Sequence, residues 1–311
     1  MSTAVVFAYH DVGVRCLSVL LAHGVHVPLV LTHEDSPGER IWFESVAALA
    51  ARHGIPVIAP DDPNTPEVID RIRALAPDFL FSFYYRRMLG RDLLVLPRRG
   101  AFNMHGSLLP KYRGRVPVNW AVLKGERETG ATLHEMVDKP DAGRLVDQSA
   151  VPILPDDLAS EVFRKVTVAA EIVLDRSLPR LMAGSAELRQ QHLAEGSYFG
   201  GRKPEDGRID WTRPAAEIHN LVRAVAPPYP GAYCDFRGGR LAVHRTRLLG
   251  PCAPGTAHPA LIAAPDARNV TAICGDGEVL GLLEIEFDGA TLSKTGFEQR
   301  FGAGPLLQNQ G

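Results

Sequence analysis

The sequence predicts an α/β protein, in which a doubly wound, mostly parallel sheet is followed by a smaller β-rich barrel domain. In the first half of the chain, short β-rich runs alternate with helical patterns. In the last third, short strands are separated by turn signals. The length of 311 residues is about twice that of a usual domain, which favours one large domain and one smaller domain.

Seven segments at the start of the chain alternate between strand and helix. In chain order they are residues 4–9, 14–24, 27–33, 42–54, 55–60, 67–77 and 78–85, with strands in the odd places. Strands that alternate with helices at this spacing pair in parallel through right-handed crossovers. The first half is therefore predicted to be doubly wound.

Further elements follow along the chain. A β-rich run at 100–110 precedes a helical stretch at 116–125 and two more β-rich runs at 129–138 and 143–153. Apolar residues then recur at helical spacing, namely Leu158, Val162, Val166, Ala169, Ala170 and Val173. This pattern predicts a long helix that ends near Met182.

A segment dense in Gly, Pro and charge at 196–211 predicts a domain boundary. We assign residues 1–200 to the larger domain and 201–311 to the smaller one. After the boundary, an amphipathic helix around Ile218–Val225 ends before Pro227, and the remainder consists of short strands. These strands predict a small OB-like barrel or a sandwich.

Composition excludes several classes of protein. Apolar residues make up 45% of the chain without a run near the ~20 residues that a membrane span needs. The N-terminus resembles a first strand more than a signal peptide, so we expect a cytoplasmic protein without a membrane partner. The net charge of -2 lowers the expectation of a nucleic-acid partner. The four cysteines, Cys16, Cys234, Cys252 and Cys274, are too far apart to predict a zinc site or a disulfide framework.

Polar residues at the predicted carboxyl end of a strand form the candidate site, because ligands of open α/β sheets bind there. Asn103 and His105 lie two apart, so their side chains share one face of a strand. An amide beside an imidazole suits acyl transfer. Asp141, in a later loop, is a candidate to fix the His105 tautomer and favour its charged form. By spacing alone, a strand end with hydrogen-bonded polar side chains is an equally good interpretation.

Two cofactor classes lack their motifs. His134 and Glu135 begin the zinc motif H-E-x-x-H, but Asp138 stands where the second His is required, so we expect no metal. The segment after the first strand, residues 7–13, has a single Gly in place of G-x-G-x-x-G, so we expect no NAD.

Residues 102–126, FNMHGSLLPKYRGRVPVNWAVLKGE, and 129–143, TGATLHEMVDKPDAG, resemble the signature of the folate-dependent formyltransferases. The resemblance implies a Rossmann-like catalytic domain and 10-formyltetrahydrofolate as co-substrate. It also implies that Asn103 stabilises an oxyanion, His105 acts as acid and base, and Asp141 orients His105. The residues implied to line the folate pocket are Arg87, Met88, Leu89, Arg115, Val137, Asp138, Lys139, Pro140 and Asp141.

Within this superfamily, residues 7–13, 81–89 and 105–115 are most similar to the formyltransferase domains of bifunctional polymyxin-resistance enzymes. Those domains formylate UDP-4-amino-4-deoxy-L-arabinose for lipid A modification, which implies a nucleotide-sugar substrate. The bifunctional enzymes carry a second, decarboxylase domain that this sequence lacks, so a separate decarboxylase protein is expected in the same pathway. A homo-oligomer is possible, and the exact amino sugar and nucleotide stay open.

Three alternatives remain. Methionyl-tRNA formyltransferases share the catalytic segment, but they carry a basic loop where residues 32–42 are short and more acidic than basic here. A folate- or sugar-binding protein without turnover is disfavoured because all three candidate catalytic residues are present. Hydrolysis of formyl-folate as a side reaction is not excluded.

Overall fold

The computed structural model describes residues 1–35, 41–256, 259–262, 268–304 and 306–307. The chain forms two compact units. The first comprises Met1–Pro117, Glu128–Pro152 and Phe163–Gly200, and the second comprises Val118–Arg127, Ile153–Val162 and Gly201–Gly311.

The elements up to residue 200 are, in chain order, β1 (Thr3–Ala8), α1 (His10–Ala22), β2 (His26–Leu31), α2 (Val46–Arg52), β3 (Val57–Ile58), α3 (Pro66–Leu75), β4 (Phe79–Phe83), α4 (Arg91–Leu94), β5 (Gly100–His105), β6 (Arg113–Gly114), α5 (Pro117–Leu123), β7 (Glu128–Glu135), β8 (Leu145–Pro152), α6 (Ala159–Ala183) and β9 (Tyr198–Phe199). A short 3-10 helix lies at Leu193–Glu195.

Seven of these strands form the sheet of the first unit, in the order β3-β2-β1-β4-β5-β7-β8. The strands from β3 to β5 in this order pair in parallel, whereas β5 with β7 and β7 with β8 are antiparallel. The doubly wound, mostly parallel sheet predicted from the sequence is therefore confirmed.

The strands are apolar almost throughout because helices cover both faces of the sheet. On one face, α3 contributes Val68, Ile69 and Ile72 to a core cluster that contains Phe7 and Leu80. On the other face, α1 runs beside α6, where the Arg15 guanidinium pairs with the Glu171 carboxylate at 2.9 Å between Nε and Oε2.

The elements after residue 200 are a 3-10 helix at Pro204–Gly207, α7 (Ala215–Val225), β10 (Ala232–Phe236), β11 (Gly239–Pro251), β12 (Ala260–Ile262), β13 (Val270–Ile273), β14 (Glu278–Phe287), β15 (Ala290–Thr291), α8 (Lys294–Phe301) and β16 (Leu306–Leu307). The strands form an antiparallel sheet in the order β10-β11-β14-β13-β12-β16, with β15 beside β14. This half-barrel confirms the smaller β-rich unit predicted from the sequence.

Several boundaries differ from the predicted ones for local reasons. The second helix, predicted to start at residue 42, begins at Val46, because Ser45 caps it by accepting a hydrogen bond from the Ala48 amide at 3.2 Å. The fourth strand stops at Phe83, since Tyr84 adopts φ of 58°. Residues 36–40, within the segment 32–42 compared above with tRNA-specific enzymes, lie outside the described residues.

Among the described residues, no helix is both long enough and apolar enough to cross a membrane.

Candidate active site

The candidate site is built at the junction of parallel and antiparallel pairing, where β5 lies between β4 and β7. Asn103 and His105 occupy the last positions of β5, as the alternation along that strand predicts. The antiparallel register places His134 of β7 directly opposite Asn103. The strand pair therefore brings a second histidine to the site from a distant part of the sequence.

Asp141 enters the site from the turn between β7 and β8. Its backbone adopts φ of 53°, a conformation that few residues other than Gly take up. The side chain of Gln191 stabilises this turn by donating hydrogen bonds to the carbonyls of Asp141, at 3.0 Å, and Gly143, at 2.5 Å. The turn thus holds the carboxylate in place through contacts to its main chain.

The four polar side chains form one connected group. Oδ1 of Asp141 lies 3.6 Å from Nδ1 of His105 and 3.5 Å from Nε2 of His134. Nε2 of His134 in turn lies 3.1 Å from Nδ2 of Asn103. The two histidines are buried and Asn103 and Asp141 are half-buried, so their electrostatic interactions are stronger than they would be in water.

Main-chain groups of Tyr112 and of Gly114, which flank Arg113, also contact the site. The carbonyl of Tyr112 accepts a hydrogen bond from Nε2 of His105 at 2.8 Å. The amide of Gly114 donates to Oδ2 of Asp141 at 2.8 Å. Nε2 of His105 therefore donates to a main-chain carbonyl, whereas Nδ1 faces the Asp141 carboxylate at 3.6 Å, beyond a good hydrogen bond.

Asp141 remains ionised in this setting. Burial alone would raise the pKa of its carboxyl group, but three groups act in the opposite direction. Among them, the positive charge available on His105 and the Gly114 amide hold the pKa of Asp141 well below its usual range.

The predicted folate-contacting residues lie on three segments of the chain, at residues 87–89, at Arg115 and at residues 137–141. Arg87, Met88 and Arg115 are exposed, whereas Leu89 is buried in the core cluster on which Met136 packs. Val137, Asp138 and Lys139 are exposed and Pro140 is half-buried, in the turn that leads to Asp141.

His134 is a member of the site that was not predicted from the sequence, where it stood out only as part of an incomplete zinc motif. The available signal was the alternation along β7, because an antiparallel strand beside Asn103 can place a polar side chain of β7 opposite it. Among the described residues, no cluster of His, Cys, Asp and Glu has the geometry to hold a metal ion.

His10, at the end of β1, belongs to a different environment. Its ring stacks on Phe43 with centroids 3.9 Å apart and meets the edges of Trp42 and Phe163. Its Nδ1 accepts a hydrogen bond from the Asp11 amide at 2.9 Å. His10 is therefore a packing residue of an aromatic cluster in the described part of the chain.

Comparison with known families agrees with this fold. Residues 20–178 match the formyl transferase family, and residues 202–299 match the formyl transferase C-terminal domain. The chain belongs to the formyl transferase family and is a formyltransferase enzyme.

Solved structures with the same fold share little sequence with this chain. An N-formyltransferase from Helicobacter canadensis, bound to folinic acid and dTDP-3-aminofucose, is 20% identical, with a TM-score of 0.70 over 91% of this chain and 99% of that one. WlaRD, a sugar 3N-formyl transferase with dTDP and 5-N-formyl-THF, is 19% identical, with a TM-score of 0.70 over 91% and 97%. A sugar N-formyltransferase from a Shewanella species is 17% identical, with a TM-score of 0.62 over 78% and 96%. At these identities the similarity shows the fold alone.

Proposed function

We propose that this enzyme transfers the formyl group of 10-formyltetrahydrofolate to the 4-amino group of a UDP-linked amino sugar. The substrate we favour is UDP-4-amino-4-deoxy-L-arabinose, whose formylation belongs to lipid A modification and polymyxin resistance. The observation that carries the proposal is the connected group of Asn103, His134, Asp141 and His105, which joins an amide donor to a charged acid-base pair.

Two lines of support bear on the choice of donor and acceptor. Two proteins of similar fold, the Helicobacter canadensis enzyme and WlaRD, are each bound to a formyl-folate and to a dTDP compound. In this chain, segments 81–89 and 105–115 resemble enzymes that act on a UDP sugar. We assign Arg87, Met88, Leu89, Arg115 and Val137–Asp141 to the folate pocket on the same grounds.

The reaction requires one new bond, one broken bond and one proton transfer. The amine lone pair attacks the formyl carbon, and the carbonyl electrons move to oxygen. The tetrahedral intermediate then collapses, the bond from carbon to N10 of the folate breaks, and N10 takes up a proton. The net result is that one proton moves from the sugar nitrogen to the folate nitrogen.

Asn103 is positioned to stabilise the oxyanion. The carbonyl of Glu135 lies 2.8 Å from Nδ1 of His134 and accepts its proton, so Nε2 of His134 accepts from the Asn103 amide. This contact fixes the end of the Asn103 amide that carries hydrogens. The second amide hydrogen is then available to the developing negative charge.

His105 relays the proton between the two nitrogens. Its Nε2 is engaged by the Tyr112 carbonyl, whereas Nδ1 is 3.6 Å from Asp141, beyond a good hydrogen bond. We therefore assign proton transfer to Nδ1. Asp141 stays ionised and compensates the charge on the ring while the proton is held there.

The test is an incubation with 10-formyltetrahydrofolate and a panel of UDP- and dTDP-linked amino sugars, followed by mass spectrometry. The proposal expects one added formyl group on a UDP-linked 4-amino sugar, formed far more slowly by the Asn103→Ala variant. Formylation of dTDP sugars alone would mean that the nucleotide of the substrate is dTDP and not UDP. Formylation of methionyl-tRNA, with salt-sensitive tRNA binding in a gel shift, would replace the substrate class.

Other features of the proposal follow from the same assignment. The enzyme acts in the cytoplasm on small molecules, without NAD, a metal or nucleic acid. Assembly into a homo-oligomer is compatible with the proposal.

A further inference from the structure

Arg113 is a buried cation without a protein partner in the part of the chain that the structure describes. Its side chain is 8% exposed, and its Nε is enclosed without a hydrogen-bond acceptor. Among the described residues, no carboxylate forms an ion pair with its guanidinium and no acceptor contacts its Nε, whereas its main-chain amide donates a hydrogen bond to the Ser197 carbonyl at 3.0 Å. Burying a charge without a compensating partner is unfavourable, so an unpaired buried charge calls for a functional reason.

Arg223 of the second unit is a useful comparison because it is also buried, at 5% exposure. Its Nε donates to Asn220 at 2.9 Å, and Nη1 faces the carbonyls of Leu154 and Asp157 at 3.4 and 3.5 Å. Arg223 is thus satisfied by the protein in the usual way. The lack of acceptors around Arg113 is not a general property of buried arginines in this chain.

Arg113 also lies at the centre of the candidate site along the backbone. The residue before it, Tyr112, accepts the hydrogen bond of His105, and the residue after it, Gly114, donates to Asp141. Arg113 is therefore the immediate sequence neighbour of both residues whose main chains contact His105 and Asp141.

We propose that Arg113 is the counter-ion for the diphosphate of the nucleotide-sugar substrate. This inference rests on the proposed function. The guanidinium group is planar, and when its nitrogens have no protein acceptors it can donate two parallel hydrogen bonds to two oxygens of one phosphate. The enzyme keeps the unpaired charge because the bound diphosphate compensates it.

The geometry of the two substrates favours the diphosphate over the folate carboxylates. In a nucleotide sugar with a 4-amino group, a single sugar ring separates the reacting nitrogen from the diphosphate. In the folate, the rigid p-aminobenzoyl group keeps the glutamate carboxylates farther from the formyl carbon. An arginine whose neighbours in sequence contact both His105 and Asp141 is suited to the nearer anion.

The experiment measures the binding of UDP, uridine and 5-formyltetrahydrofolate to the wild type and to three variants. Arg113→Gln and Arg113→Met remove the charge, and Arg113→Lys keeps the charge without the planar fork. Arg71→Gln, on the exposed face of α3, is the control for loss of one positive charge. We expect Arg113→Gln to weaken UDP binding by about 10-fold to 10²-fold, to near the affinity for uridine, with folate binding unchanged. Arg113→Lys should fall between the wild type and Arg113→Gln.

A stability measurement excludes a purely structural role. Removing an unpaired buried charge should leave the Tm of the ligand-free enzyme equal or higher in Arg113→Met, while the increase in Tm caused by UDP disappears. A clear decrease in Tm with unchanged UDP affinity in Arg113→Lys would mean that the arginine supports the fold.

The possible outcomes separate this inference from the proposed function. Equal UDP affinity in the wild type and Arg113→Gln overturns the phosphate site, as does a loss confined to folate or a wild type that binds no nucleoside diphosphate. If the wild type binds UDP through Arg113 but formylates no amino sugar, the phosphate site stands and the proposed function fails.

Discussion

The amide of Asn103 donates a hydrogen bond to Nε2 of His134 across the antiparallel pair of β5 and β7, with 3.1 Å between the two nitrogens. This contact determines which end of the Asn103 amide carries hydrogens toward the reacting carbonyl. His134 is therefore a positioning residue for Asn103, although it is itself buried, with 1% of its surface exposed.

His134→Phe removes the acceptor for Asn103 while it keeps a planar ring of similar size. We expect kcat to fall on the order of 10-fold to 10²-fold with little change in KM, because a misplaced oxyanion donor acts mainly on the transition state. His134→Gln retains an acceptor oxygen and should recover part of the activity. Steady-state kinetics check this, and a change in KM alone would contradict it.

Asn103→Ala and His105→Ala test the two groups assigned to the chemistry. Each variant should lose activity on the order of 10²-fold or more, the scale expected for an oxyanion donor or an acid-base group. Their thermal midpoints should stay close to that of the wild type, since neither side chain belongs to the apolar core. Near-normal turnover in a well-folded variant would remove that residue from the mechanism.

Asp141→Asn keeps the shape of the side chain and removes its charge. The depressed pKa of Asp141 arises partly from the charge of His105, and such an interaction is mutual: the carboxylate also favours the protonated ring. Without it, the ring releases its proton more readily, so the limb of the rate profile that reports His105 should move to lower pH. A pH-rate profile with both limbs unmoved and only its amplitude reduced would restrict Asp141 to a positioning role.

Gly114→Ala tests the main-chain contact to Asp141. Gly114 adopts φ of 99°, and an added Cβ would lie 2.1 Å from the carbonyl oxygen of Phe199. We expect a loss of roughly 1–3 kcal/mol in unfolding free energy, together with lower kcat as the amide moves away from Asp141. Gly200→Ala is the matched control, because a Cβ there meets no atom within 4 Å. Equal denaturation midpoints for the two variants would argue against the contact.

Activity should withstand chelation. The acid-base assignment gives His105, His134 and Asp141 roles that need no metal ion, and their contacts to Tyr112, Glu135 and Gly114 already engage their polar atoms. Treatment with a chelator followed by assay should leave turnover unchanged. Complete loss that is reversed by zinc would mean that the histidines are ligands.

The sequence predicted the parts of the molecule that depend on local pattern. The apolar run Phe79–Phe83 predicted β4. The helical spacing of apolar residues from Val162 to Val173 predicted α6. Asn103 and His105 could be placed on one face because strand alternation is a local rule.

Long-range pairing accounts for what the sequence left out. His134 became part of the site only through the register of β5 against β7, which no single segment encodes. The same holds for Arg113, since the absence of acceptors around a side chain depends on everything that packs near it.

The last residues of the first unit have a consequence for how the site forms during synthesis. Ser197 and Phe199 hold the strand of Arg113 and Gly114, through bonds of 3.0 Å from the amides of Arg113 and Arg115. Gln191 holds the turn of Asp141. The ribosome makes the chain from the N-terminus. The sheet and the four side chains of the site therefore emerge before the residues that make these hydrogen bonds have been synthesised. The nascent chain therefore gains its working geometry only when α6 and the segment after it have been synthesised, so activity should switch on late in translation.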